Sequence, residues 1–516
     1  MLLRARRTHA LSSFVAGASP GGGPTTALRG TTRWHAYSRY ATSSASDGAS
    51  AKEQEEESVL HRWKAYYEPL CEGFGIEVGP SRFVIGSTSA ESEAREEEST
   101  PRDPAAQPLL PKALFATRPF RAGEIVFTEE PVVTARAFST PFHKRKEQQG
   151  NQHAHGLTLH HDRLCDHCLR SLALPDMCFP EDTSPEERSL LPFIHNSKLW
   201  PQIGTTVETA DGKMYCSESC KTKAYDRYQQ YLGSAVDGAH PYARYEAICR
   251  EINSGFPIQV ARMYASMLLP LFSASSSSET SSTAISSALW NQTPISKFSS
   301  SWQPLPMFEL KPELARAKAF IYGGEAAKLL QQAFKDTAPS FAAHDALFSN
   351  EFYSWIYNTV HMNCSSAQPK SPWETYAHNL QMALSQQPPD IAKSVASTVL
   401  MLSEFLGDRH QLSSEERQMT IFHLLTRSGG SALYALHSCM NHSCDANAAI
   451  RNQQDDAKIT VIARKDIPPG HEICIDYAGF YKQGRLPSVE QRRAILYQNF
   501  GFECCCPLCL SSSSSP

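Results

Sequence analysis

A chain of 516 residues is too long for one compact core, so two to four structural units are expected. Its 49 Lys and Arg against 53 Asp and Glu leave a net charge of −4, which offers no basic field for direct nucleic-acid binding, and no apolar run reaches the ~18 residues of a membrane span. The fifteen cysteines cluster as C-x2-C, C-x3-C and C-x-C-x2-C behind a start without a secretory apolar core, which excludes a spread disulfide framework and points to thiolates on metal in a reducing compartment.

Residues 1–108 read as a largely disordered N-terminal extension. The first 46 carry six arginines and no acidic residue, the composition of a mitochondrial transit peptide ending near residue 40. A disordered extension with accidental bias fits the same composition. Residues 86–108 are acidic, polar and Pro-bearing, which favours disorder. The first folded segment is then 109–135, where "KALFATRPFRAGEIVFTEEPVV" places two short strands around a turn at Gly123.

In 160–235 the knuckle Cys165-x2-Cys168 precedes Cys216 and Cys220. Ser217 is a plausible helix cap, and positions i and i+4 share a helix face, so both later thiolates can meet one ion. Two such pairs closing a long loop are a zinc signal, against the alternative of buried free cysteines. Cys178 and the histidines at 153, 155, 160 and 161 have no matching spacing and read as loop residues.

Residues 236–430 read as a helical block with a Ser-rich loop at 273–301. Its clearest stripe is Ile391, Val395, Val399, Leu402 and Leu406, ending at Gly407, which reads as core packing. The segment 431–480 follows, with "NHSCDAN" and a second strand–turn–strand cadence, "IARKDIPPGHEICIDYA". In 481–510, "FECCCPLC" offers Cys504, Cys506 and Cys509 as a tight knuckle. Adjacent side chains cannot all converge on one ion, so Cys505 points away and a fourth ligand is missing.

The set "NHSC", "GHEICIDY" and "FGFECCCPLC" resembles the SET-domain protein lysine methyltransferases, and within them the split-SET type interrupted by a MYND-like zinc finger. The resemblance covers 110–135, 160–232 and 430–510. It implies an α+β fold: a β-rich SET domain split by the finger and a helical insert, and closed by a zinc-bound post-SET segment. It implies two zinc ions, one on Cys165, Cys168, Cys216 and Cys220, the other on Cys444, Cys504, Cys506 and Cys509. Cys444 is thereby the missing ligand.

The same resemblance implies S-adenosylmethionine as cofactor, held by Asn441, His442, Phe500, Phe502 and Phe115, with Tyr477 as the catalytic tyrosine that also lines the cofactor. Methyl transfer to an amine asks the protein to align two groups and exclude water. A lysine of pKa ~10.4 must also shed its proton, which desolvation beside a cation assists. Ile475 occupies a place where an aromatic sometimes tunes the number of methyls, and an aliphatic leaves that number open.

The chain departs from the pattern in three places. "PKALFA" replaces a glycine-rich first strand, Ala446 stands where proline is common, and Tyr228 and Leu232 stand where a second finger zinc would find ligands. The reduced finger is most similar to the fungal enzymes that methylate the tail of histone H4. The expected partner is thus a lysine-bearing protein tail, the expected setting nucleus and cytoplasm, and the expected state a monomer. A ribosomal or mitochondrial substrate, and a non-catalytic zinc scaffold, are the alternatives.

Overall fold

The computed structural model describes residues 63–81, 112–138, 163–172, 205–233, 239–270, 311–367, 429–451, 455–480, 486–500 and 502–511, with isolated positions between 305 and 382. The expectations for 1–46, 86–108, 273–301 and the 391–407 stripe lie outside the described residues. So do Cys178 and the four loop histidines.

Folding begins earlier than residue 109. A helix over 63–71 (α1) sets Trp63, Tyr67 and Cys71 one above the other at four-residue spacing, and all three are buried. Strand β1 (Ile76–Pro80) then pairs antiparallel with β2 (Lys112–Ala116), Ile76 opposite Ala116. All five residues of β2 are buried, and Leu114 and Ala116 share one core with Trp63, Tyr67 and Cys71 of α1. The Lys112 ammonium lies 4.9 Å from the Trp63 ring centroid and 5.3 Å from that of Tyr67. Burial pushes its pKa down to about 8. The expected extension 1–108 is thus corrected for 63–81, which form part of the core.

Two segments far apart in the chain build the central sheets together. Strand β3 (Ile125–Glu129) pairs with β11 (Ile459–Ala463), which also pairs with β10 (Ala448–Arg451). Strand β4 (Val133–Arg136) pairs with β8 (Gly430–Leu433), itself paired with β7 (Ser365–Ala367). A short parallel pair joins β9 (Asn441–His442) to β12 (Cys474–Ile475). Among the described residues the strands form five small sheets and no closed barrel. Both expected turns are present. Gly123 and Gly470 take φ of +89° and +75°, and their N–H groups donate to Ala463 and Ala116 carbonyls at 2.8 and 2.7 Å.

The finger holds the hairpin β5 (Val207–Glu208) and β6 (Met214–Tyr215), then α2 (Glu218–Ala224). Ser217 caps α2, its hydroxyl accepting the Cys220 N–H at 3.2 Å. The helical block contains α3 (Pro241–Glu251), α4 (Phe256–Met263), α5 (Ala315–Tyr322), α6 (Glu325–Phe334) and α7 (Asn350–Asn363). These helices share one core with the finger and with β4 and β8. Two of its buried tyrosines pair their hydroxyls with backbone: Tyr245 donates to the Pro257 carbonyl at 2.6 Å and Tyr264 to that of Leu347 at 2.8 Å.

Arg262 of α4 ties the layers together. Its Nη1 donates to the Thr134 and Asp166 carbonyls, both at 2.8 Å, and its Nη2 to the Asp166 carboxylate. Its guanidinium also sits 4.6 Å over the Tyr228 ring, and His167 Nδ1 lies 3.1 Å from the Tyr228 hydroxyl. Tyr228 and Leu232 are fully buried at the places where a second finger zinc would find ligands. A buried ion pair and an aromatic ring fill that region.

Candidate active site

The described residues contain two groups of four cysteines whose sulfurs all lie within 4.8 Å of one another: Cys165, Cys168, Cys216 and Cys220, and Cys444, Cys504, Cys506 and Cys509. Four thiolates at the ~2.3 Å zinc–sulfur distance span tetrahedron edges of about 3.8 Å. In the finger, Cys168–Cys216 and Cys216–Cys220 separations are 3.6 and 3.4 Å. In the second group, Cys444 lies 3.8 Å from Cys504 and 3.6 Å from Cys509. Both sets therefore fit one tetrahedral ion each. Cys505 is part-exposed and outside the group.

The second group anchors the C-terminus. Helix α8 (Val489–Phe500) and helix α9 (Pro507–Ser511) flank the knuckle. The buried Arg492 of α8 donates from Nη2 to Cys509 Sγ at 3.3 Å and from Nη1 to the Pro487 carbonyl at 2.6 Å. A cation aimed at a four-thiolate cluster offsets part of its negative charge. Phe480, Val489, Leu496 and the four cysteines form the local core, with Tyr477, Phe500 and Phe502 packed against it.

Tyr477 follows β12 and is fixed at both ends. Its N–H donates to His442 Nδ1 at 3.1 Å and its hydroxyl to the Met440 carbonyl at 2.7 Å. The Asp476 carboxylate accepts the Ala478 and Gly479 N–H groups at 3.1 and 3.0 Å, which holds the turn. The ring lies 5.3 Å from His442, 5.2 Å from Phe500 and 6.3 Å from Phe502. Burial above all, with Cys474 and Glu472 nearby, pushes the phenol pKa well above its ordinary value. Tyr477 is a neutral phenol at physiological pH.

Asn441 and His442 stand beside it, with their side chains held by the protein. The Asn441 amide donates to Glu472 Oε1 at 2.5 Å, Ser81 Oγ at 3.2 Å and the Lys112 carbonyl at 3.3 Å. His442 Nε2 lies 3.3 Å from Cys444 Sγ. What β9 offers a ligand is therefore mainly its backbone. Asn447 braces the same strands, donating to the Glu472 carbonyl and accepting the Cys474 N–H, both at 2.8 Å. The structure thus brings Asn441, His442, Tyr477, Phe500 and Phe502 together. Phe115 lies on β2, bridged to Glu472 through the backbone, with its ring against Gly79.

Glu129 at the end of β3 was not legible as a site residue. Its carboxyl accepts the Leu436 and His437 N–H groups at 2.8 and 3.0 Å, fixing the turn that leads into β9. Burial raises its pKa to about 7, against the lowering by these backbone bonds. Arg492 and Glu472 were missed as well, since each acts through contacts far from its sequence neighbours.

The SET domain family model matches residues 274–478. The chain is 26% identical over 428 residues to the mouse protein-lysine N-trimethyltransferase SMYD5, spanning 78% of this chain and 85% of that protein. It is 30% identical over 174 residues to the Arabidopsis thaliana histone-lysine N-methyltransferase ATXR2, 33% and 32% of the two chains. It is 35% identical over 77 residues to the Schizosaccharomyces pombe histone-lysine N-methyltransferase set5, 15% and 23% of the two chains. Strands β3 and β4 precede the matched range yet pair with β11 and β8 inside it, so the domain's sheets are assembled from both sides of the finger and helices. With NHSC, the tyrosine after β12 and the two cysteine groups in one arrangement, the chain carries a SET domain and a MYND-like cysteine cluster and is homologous to protein-lysine N-methyltransferases.

Proposed function

We propose that the protein transfers methyl groups from S-adenosylmethionine to lysines of a flexible protein tail, with histone H4 as the first candidate, and that each cysteine group carries one zinc ion. The observation that supports this most is the fixation of Tyr477 between His442, Met440, Phe500 and Phe502. The cofactor supplies an electrophilic methyl on a sulfonium. Phe500 and Phe502 pack on Tyr477 while remaining part-exposed, and such a half-open aromatic wall suits a flat, cationic ligand. They and the β9 backbone would hold the cofactor, and the zinc knuckle would keep α9 and both rings over it.

The chain's own residues then orient and desolvate the lysine. A phenol that gives its proton to the Met440 carbonyl presents lone pairs to an amine N–H, and donation to that carbonyl makes its oxygen a better acceptor. The raised pKa of Tyr477 makes it an orienting group rather than a base. Deprotonation of the lysine falls to burial beside the cationic cofactor.

A histone substrate is favoured by the likeness to set5, a histone-lysine methyltransferase by name, although that likeness spans only 15% of this chain. The longer likeness to SMYD5, named as a trimethyltransferase, makes three methyls the number to test. A nuclear setting follows from a histone substrate. The mitochondrial alternative rests on the composition of residues 1–46 alone. The test uses the full chain with isotope-labelled S-adenosylmethionine, separate core histones and fractionated extract, read by mass spectrometry. Labelled trimethyl-lysine on H4 is expected. Label on another protein alone would replace the substrate, and no S-adenosylmethionine binding by calorimetry would leave a zinc scaffold.

A further inference from the structure

We propose that His442 is a positioning residue that carries the state of the post-SET thiolate cluster to Tyr477. The inference rests on the reading of Tyr477 as the catalytic tyrosine. The Tyr477 backbone N–H can only donate, so its partner 3.1 Å away, His442 Nδ1, bears a lone pair. A neutral imidazole with Nδ1 as acceptor carries its proton on Nε2. That nitrogen lies 3.3 Å from Cys444 Sγ, and a metal-bound thiolate accepts but does not donate. One ring thus joins a metal ligand to the amide of Tyr477, with its proton position fixed from both sides.

The surroundings hold the ring in that role. Parallel pairing places His442 opposite Ile475, and the Ser443 N–H donates to the Ile475 carbonyl at 3.0 Å, so the imidazole is locked beside the strand that ends in Tyr477. Its ring lies 5.3 Å from that of Tyr477, with Phe480 and Phe502 at 6.1 Å each. On another thiolate of the same cluster, Arg492 donates to Cys509 from α8. Two of the four thiolates therefore have N–H groups within hydrogen-bond distance, one from the strand that carries His442 and one from the C-terminal helix. Losing the ion turns Cys444 from a fixed acceptor into a rotatable thiol. The imidazole then loses the constraint on its proton, and Tyr477 loses a defined partner for its N–H.

Two conservative variants separate the halves of this link. His442→Asn keeps an acceptor near the Nδ1 position and does not reach Cys444. His442→Gln keeps a donor near the Nε2 position and offers Tyr477 no acceptor. The full chain is loaded with cadmium-113 as the metal probe and observed by NMR, with the post-SET resonance identified as the one lost in Cys509→Ser. His442→Asn should shift that resonance and leave the finger resonance in place. His442→Gln should leave both resonances in place and lower kcat on the order of 10-fold, with KM for S-adenosylmethionine within about 2-fold. Nitrogen-15 histidine spectra of the unsubstituted chain should show the Nε2–H form, and cadmium removal should change it. A post-SET resonance unmoved by His442→Asn, a proton on Nδ1, or an unchanged kcat in His442→Gln would each overturn the coupling. Methyl transfer absent in every form would count against the functional reading instead, and the cadmium and nitrogen spectra would still decide the coupling.

Discussion

The two cysteine groups share one donor set and differ in what surrounds them. The finger group lies against a structural junction. Asp166, within its first knuckle, holds the buried Arg262, and Arg262 reaches the Thr134 carbonyl of β4. The post-SET group lies against the proposed catalytic tyrosine, through His442 to Tyr477 and through the packing of Phe500 and Phe502. Equal ligands therefore predict unequal consequences. Disturbing the finger should cost fold stability, and disturbing the post-SET group should cost cofactor binding and turnover.

The largest expected effect is on the finger side. Asp166→Ala leaves the Arg262 guanidinium buried without its carboxylate, and breaking one partner of a buried pair costs about 3–5 kcal/mol. Chemical denaturation should show that loss, while turnover of the fraction still folded stays near the unsubstituted value. A stable Asp166→Ala chain with lost turnover would reverse the assignment of the two groups.

Tyr477→Phe is next and should act oppositely. Removing the hydroxyl keeps the ring contacts and deletes the bond to Met440. Turnover should fall on the order of 10²-fold or more. Calorimetric affinity for S-adenosylhomocysteine and the melting temperature should change little. Turnover near the unsubstituted value would remove Tyr477 from the chemistry.

Cysteine replacements compare the groups directly. Cys444→Ser and Cys509→Ser should each reduce zinc from two ions per chain to about one, by elemental analysis, and weaken S-adenosylhomocysteine binding by roughly 10-fold, since metal binding is coupled to the folding of this segment. They should behave alike although far apart in sequence, because their sulfurs are 3.6 Å apart. Cys505→Ser should keep both ions. Loss of zinc in Cys505→Ser with retention in Cys444→Ser would mean a differently built knuckle.

Which of these residues the sequence could reveal has a physical basis. Metal sites impose spacing, so Cys165-x2-Cys168 and the C-terminal knuckle were legible, and turns impose glycine, so Gly123 and Gly470 were as well. Joining Cys444 to the knuckle needed a family resemblance, since no local rule links the two. Helix α1 was illegible because only three buried residues mark a single short stripe beside biased, acidic sequence. Arg262 and Asp166 are 96 positions apart, and nothing near either residue announces the pair. Glu129 and Glu130 are neighbours in "FTEEPVV". One accepts two backbone N–H groups of the 435–437 turn, and the other is exposed and pairs with Lys458 at 3.2 Å. Only tertiary contact tells them apart.

Glu129 supplies the smallest effect and the finest test of the comparison. Its pKa rises from 4.5 to about 7 on folding, chiefly through burial. Between those two values the folded chain holds a proton that the unfolded chain has released. The contribution of Glu129 to stability is then greatest below about 4.5, falls as pH rises through this window and flattens above about 7. Glu129→Gln cannot titrate and should flatten that part of the curve, whatever it does to absolute stability by losing one of two N–H contacts. The measurement is the difference in melting temperature between the two chains at pH 5, 6, 7 and 8, which should change up to about pH 7 and then hold constant. Because Glu129 grips the turn leading into β9, the pH response should also appear in S-adenosylhomocysteine affinity and not in the rate at which a thiol reagent attacks the finger cysteines. A difference that does not vary with pH would mean that Glu129 is ionised in the folded chain. A matching response at the finger would mean that the two regions are not separable.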